Sequence, residues 1–163
     1  MERTTNIVLE KEHFKFSSGH FTIFSKDNRE NLHGHNFTVA ISISSKVDDS
    51  GLAFDYRLYK QQTEAICKEL NEHFLLPTQS PFLTIEETDE HVFAHFNGEK
   101  IPFLKRDVIL LPLANVTLEE LAKWFLERFL ADKSAVSEYR IAAFEVRVSS
   151  GPGQSASAYW SKK

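Results

Sequence analysis

The sequence predicts an α+β fold, an antiparallel sheet with two helices on one face, from three observations. Apolar and polar residues alternate in separate stretches near both ends of the chain, the period-two signature of half-buried strands. Two other stretches repeat apolar residues at helical spacing. Strands precede and follow the helices instead of alternating regularly with them, and neither an internal repeat nor a low-complexity linker interrupts the chain. At 163 residues the length fits one domain over 1–163, and folding such a chain buries roughly 70% of its extended surface.

From Ile7 to Phe24 the alternation is partial, with Phe14, Phe16 and His20 sharing one parity. It is cleaner in "NFTVAISISS", where Phe37, Val39, Ile41 and Ile43 face one way and Thr38, Ala40, Ser42 and Ser44 the other. A turn, "VDDSGLAFD", leads to Asp55, a candidate N-cap for a helix from about Tyr56 to His73 in which Tyr59, Ile66 and Leu70 keep helical spacing and which Pro77 stops. Residues 78–114 read as an inserted hairpin and connecting strand around the turn signal Asn97-Gly98. The second helix opens on "TLEE", with Thr117 and Glu120 as a capping box and Leu118, Leu121, Ala122, Phe125 and Phe129 as its apolar face. In "YRIAAFEVRVSS" the even-numbered Ala142, Phe144, Val146 and Val148 point inward, and a Gly/Pro turn then leads into a short last strand.

Composition removes several function classes. Nineteen Lys and Arg against 23 Asp and Glu leave a net charge of −4 without a basic face, so nucleic acid is not an expected partner. The start "MERTTNIVLE" lacks a secretory pattern and no apolar run reaches the ~18 residues of a spanning helix, so no membrane partner and a cytoplasmic location are expected. Fourteen Phe suggest a core of packed rings. Cys67 is the only cysteine, which excludes a disulfide framework and any multi-cysteine zinc site. A bound metal would have to be held by imidazole and carboxylate.

"NRENLHGHNF" offers both. His33 and His35 lie on one face if the strand extends back to them, and His20 comes within reach if its strand pairs with theirs. Three protein ligands with a fourth position left open is the pattern of a catalytic zinc. On the residues alone, an incidental His-x-His on a strand is the commoner case. His91 and His95 sit in an acidic hairpin without a third partner and read as surface histidines.

The order "FSSGHF", "LHGHNF", "GLAFDYRLYK", "NEHFLLP", "NVTLEELA" and a Gly/Pro turn ending in an aromatic resembles the 6-pyruvoyltetrahydropterin synthase and 6-carboxytetrahydropterin synthase family. The resemblance runs from about Phe14 to Tyr159. It implies the tunnelling fold (T-fold), whose strands close an oligomeric β-barrel by threes, two rings stacking into a homo-hexamer. It also implies Zn2+ as cofactor, a small-molecule pterin substrate, and His20, His33 and His35 as the metal ligands.

The family's catalytic cysteine, four residues before the first His of His-Gly-His, falls on Arg29. The run from Glu30 to His35 is instead similar to the Glu-x-x-His-Gly-His signature of the family's type III branch, which converts 7,8-dihydroneopterin triphosphate to 6-hydroxymethyl-7,8-dihydropterin, a folate precursor. The resemblance therefore implies Glu30 as the catalytic base and Glu72-His73, in place of an Asp-His pair, as a proton relay in which the carboxylate orients the imidazole. It places Thr117 and Glu119 at the pterin pocket, with helix capping an equal alternative for Thr117. Ser150 stands where the family carries the Glu that grips the pterin. The expected function is a zinc-dependent pterin lyase of this branch. The alternatives are a 6-carboxytetrahydropterin synthase of deazapurine (queuosine) biosynthesis, which relies on the missing cysteine, and a non-catalytic zinc-binding homologue.

Overall fold

A computed structural model describes residues 3–163. Its main sheet has seven strands in the order β10-β6-β2-β5-β11-β12, with β1 also paired to β5. These are β1 (Arg3–Leu9), β2 (Lys15–His20), β5 (His33–Val47), β6 (His73–Pro77), β10 (Val108–Leu111), β11 (Ile141–Ser149) and β12 (Ser155–Ser161). Helices α1 (Arg57–Leu70), α2 (Leu118–Leu130) and the short α3 (Lys133–Glu138) share a core with it, and β3 (Ile23–Ser25) and β4 (Asn28–Arg29) form a small hairpin between β2 and β5.

The α+β reading and the alternation in β5 hold, with Phe37, Val39, Ile41 and Ile43 buried. Rings build much of this core. Phe16 stacks on Phe37 at 5.0 Å between centroids and on Phe125 of α2 at 6.0 Å, and Phe129 stacks on Phe144 at 5.4 Å. Such pairs add about 0.5–1.5 kcal/mol each beyond area burial.

Four expectations need correction. The sheet is mixed, because β6 runs parallel to both β2 and β10. Helix α1 ends at Leu70 and His73 opens β6; Leu75, Leu76 and Pro77 are consecutively buried, the pattern of a parallel strand covered on both faces. The 78–114 segment carries three antiparallel strands, β7 (Thr84–Glu87), β8 (His91–Phe96) and β9 (Glu99–Leu104), before β10 rejoins the main sheet. The turn signal there is met, since Asn97 and Gly98 both have positive φ, 45° and 79°, the geometry of a tight two-residue hairpin loop. Finally, a register shift between Ile141 and Ala143 buries Ile141 and exposes Ala142, as a bulge reverses parity locally.

The helix caps also differ in detail. Asp55 accepts the Arg57 N–H one residue ahead of the N-cap position, which Tyr56 occupies. Thr117 does cap α2, accepting the Glu120 N–H, but the Glu120 carboxylate reaches back to the Ala114 N–H and not to Thr117.

Gly19 lets β2 and β6 approach. A Cβ there would lie 2.4 Å from Phe74 Cδ2, and Phe74 is itself packed against Phe103 at 4.7 Å and Phe21 at 6.1 Å. Gly19→Ala is therefore expected to destabilise the protein by about 1–3 kcal/mol, read as a lower urea midpoint. An unchanged midpoint would mean that the Phe74 ring yields freely.

Candidate metal centre and its base

Antiparallel pairing of β2 with β5 sets His20 opposite His33 and Ser18 opposite His35. Directly opposed residues point to the same face, so three imidazoles converge at one end of the sheet, with ligand-capable nitrogens all within 4.8 Å of one another. His20 is buried and its Nδ1 lies 2.7 Å from the Val116 carbonyl oxygen. A carbonyl only accepts, so Nδ1 carries the proton and Nε2 keeps its lone pair. Similarly, His33 Nδ1 donates to the Asn31 carbonyl at 2.7 Å. Both rings therefore offer Nε2.

The donor set fits a divalent metal. His20 Nε2 is buried without a hydrogen-bond partner, and His33 Nε2 stands 3.1 Å from His35 Nε2. Two zinc–nitrogen bonds at a tetrahedral angle would set the nitrogens about 3.3 Å apart. Burial, reinforced by the neighbouring His33 and His35, holds the His20 pKa below its ordinary value against the raising effect of Val116, so the ring is kept neutral as a ligand must be.

Glu30 stands at the edge of this cluster, Oε2 3.6 Å from His33 Nε2. It is fixed by a reciprocal pair of bonds with Thr22: the Glu30 N–H donates to the Thr22 carbonyl at 2.9 Å, and the Thr22 N–H donates to Glu30 Oε2 at 2.9 Å. Partial burial pushes the carboxyl pKa up, but the Thr22 bonds and the charges of His33 and His20 outweigh it and the net direction is down. At neutral pH the group is an ionised proton acceptor aimed along the edge of the histidine cluster.

A cavity of about 390 Å³ opens beside the cluster and is lined by His20, Glu30 and His35 together with Thr117, Glu119 and Ser150. These six sequence-selected residues thus share one cavity. Three further lining residues, Thr22, Gln154 and Ser155, were not singled out by sequence. Thr22 shares the parity of His20, which was a usable signal, whereas Gln154 reaches the site only because the turn folds back: its Nε2 donates to Ser150 Oγ at 2.6 Å.

The Glu72-His73 pair lines a second cavity with Ser18, Gly19 and His35, the last of which also lines the first. Here the expected orientation is corrected. His73 Nδ1 donates to the Asn71 carbonyl at 2.8 Å, while Glu72 adopts a left-handed φ of 60° and gives its N–H to the Ser17 carbonyl. The backbone, not the Glu72 carboxylate, orients the imidazole.

The remaining histidines do not join the cluster. His13 pairs with Glu64, His95 pairs with Glu86 and His91 stacks on Phe93; the last two are half-buried, not fully solvated. Cys67 is buried and burial pushes its thiol up to about 12, which makes it inert as a nucleophile at neutral pH. Among the described residues, no helix is long and apolar enough to cross a membrane.

Comparison with known proteins matches residues 9–160 to the family described as 6-pyruvoyl tetrahydropterin synthase. A putative 6-carboxy-5,6,7,8-tetrahydropterin synthase from Methanocaldococcus jannaschii is 27% identical over 143 residues, 87% of each chain. The structure of 6-pyruvoyl tetrahydropterin synthase from Plasmodium falciparum superimposes with a TM-score of 0.92 at 28% identity, covering 98% of this chain and 99% of that one. At that coverage the β7–β9 sheet has a counterpart in the relative. Two structures of the Plasmodium vivax enzyme, each with a TM-score of 0.92 at 27% identity and covering 98% of this chain and 99% of that one, are of variants in which a catalytic glutamate is replaced by Cys or Ala.

Proposed function

Since the chain belongs to the 6-pyruvoyl tetrahydropterin synthase family, we propose that it is a zinc-dependent pterin lyase converting 7,8-dihydroneopterin triphosphate to 6-hydroxymethyl-7,8-dihydropterin. The observation that carries this reading is a carboxylate where a thiol would otherwise act. Glu30 lies 3.6 Å from His33, and Arg29 fills the family's cysteine position. The catalytic glutamate of the P. vivax relative supports the same assignment.

His20, His33 and His35 would hold the zinc, which when bound supplies Lewis acidity to the substrate's side-chain hydroxyls. Glu30 accepts the proton of the second side-chain hydroxyl. The electron pair of the bond between the first and second side-chain carbons passes to the ring-side carbon, and the second carbon leaves as an aldehyde still carrying the triphosphate. The ring-side enamine must then gain a proton, and His73, with Nδ1 committed to Asn71, has Nε2 available to deliver it. Glu72 carries no step in this scheme, because its carboxylate does not contact the imidazole. Thr117 and Glu119 contact the pterin, and the protein works as a cytoplasmic homo-hexamer in which the open edge of β12 finds a strand on a neighbouring copy.

Ser150 is the departure that bears on affinity. A neutral hydroxyl, already engaged by Gln154, cannot grip the two N–H donors of a pterin edge as a carboxylate does. Ser150→Glu is expected to tighten dihydropterin binding by roughly ten- to a hundredfold, measured by calorimetry beside the wild type. No gain would assign the anchor to another group, Glu119 first.

A second reading, 6-carboxytetrahydropterin synthase, is favoured by the name of the archaeal relative and opposed by Arg29. Incubating the protein with 7,8-dihydroneopterin triphosphate and identifying the pterin by chromatography separates them. The lyase reading expects the 6-hydroxymethyl product. A 6-carboxy product would favour the second reading, and unconsumed substrate would leave a non-catalytic zinc-binding homologue.

A further inference from the structure

The outlying β7–β9 sheet meets the rest of the chain at a buried cation. Arg29, at the end of β4, has a side chain only 13% exposed. Its guanidinium lies between two rings, 5.2 Å from the Phe21 centroid and 5.8 Å from that of Phe96. Nη1 donates to the Glu30 carbonyl oxygen at 2.8 Å and Nη2 to Glu99 Oε2 at 3.0 Å. Phe96 and Glu99 are the paired residues that close the β8–β9 turn, so one hairpin tip supplies both a ring over the guanidinium and a carboxylate at its end. Phe21, Ile23 and Phe96 belong to the second apolar cluster, which docks that hairpin beside β3.

We propose that Arg29 is a positioning residue for Glu30, and that the β8–β9 hairpin is the buttress that holds it through Glu99. The proposal rests on the reading of Glu30 as the base. Glu30 is pinned on its N–H side by Thr22 and on its carbonyl side by Arg29. With both backbone groups fixed, the carboxylate keeps its bond to the Thr22 N–H and its place beside His33. Filling space alone does not account for Arg29. Its Nε is buried without an acceptor, a cost that an apolar side chain of similar size would avoid. What the guanidinium adds is a rigid planar fork that reaches two acceptors from two separate nitrogens, the Glu30 carbonyl and the Glu99 carboxylate, a geometry that the single point-like ammonium of a lysine reproduces only in part.

The test compares Arg29→Met, Arg29→Lys and Glu99→Ala with the wild type by amide hydrogen exchange at Thr22 and Glu30, zinc content, kcat and KM. In Arg29→Met the two amides are expected to exchange about tenfold faster or more, while kcat falls roughly ten- to a hundredfold, KM stays within about twofold and zinc is retained. Arg29→Lys should recover part of both effects. Glu99 is half-exposed, so Glu99→Ala remains folded even if Arg29→Met does not, and it should loosen the same two amides. Unchanged exchange at Thr22 and Glu30 in Glu99→Ala, or a kcat loss in Arg29→Met that follows zinc loss, would overturn the buttress. If the wild type lacks lyase activity, the exchange rates still decide this proposal and only the reading of the function fails.

Discussion

Glu30→Gln is expected to lower turnover by roughly 10² or more while the metal stays in place. The amide preserves the size of the side chain and an oxygen for the Thr22 N–H, which the carboxylate now binds at 2.9 Å. It removes the capacity to take a proton. A loss of charge beside His33 could also loosen the histidine cluster, so zinc content must be measured in the same preparation. Retained zinc with lost turnover isolates the base. Unchanged turnover would return Glu30 to the role of a loop acid that fastens β4 to Thr22.

The joint substitution His33→Ala and His35→Ala is expected to abolish zinc binding and with it all measurable turnover. It removes two of the three converging nitrogens and leaves His20 Nε2 alone in a buried site, where a single imidazole cannot hold the ion. The clearest readout needs no substrate. At free zinc a hundredfold above the dissociation constant, binding raises folding stability by about 2.7 kcal/mol, so the wild type should melt at a higher temperature with zinc than without. The double variant should show no such shift. A zinc-dependent shift that survives the substitutions would place the metal elsewhere in the chain.

The parts of the fold that were legible in sequence are those where one local period persists. Phe37, Val39, Ile41 and Ile43 keep one buried parity, with Ala40 the one buried residue between them on the other, and the Leu121, Phe125 and Phe129 face of α2 is helical throughout. The convergence of the three histidines was legible for a related reason, because His20 and His33 each keep the parity of their strands and antiparallel pairing does the rest. Strand β6 was not legible. His73 to Pro77 is a short apolar run following a helix, and nothing local distinguishes a buried parallel strand from one more helical turn. The bulge at Ile141 was hidden for the same reason, since it is set by β5 and not by its own sequence. The partners of Arg29 were beyond any periodic reading: Glu99 lies 70 residues away, and only the docking of the outlying sheet brings the two together. Glu72 shows the opposite error, where the family resemblance implied a carboxylate–imidazole contact and His73 Nδ1 donates to the Asn71 carbonyl instead.

Three imidazoles are proposed to hold one metal ion beside Glu30, and the zinc K-edge X-ray absorption spectrum of protein purified without added metal reads that coordination shell. One zinc per chain is expected, with three imidazole nitrogens at about 2.0–2.1 Å and one oxygen ligand completing a shell of light nitrogen and oxygen scatterers. Absence of zinc, or a thiolate sulfur scatterer such as the buried Cys67 would supply, would contradict this.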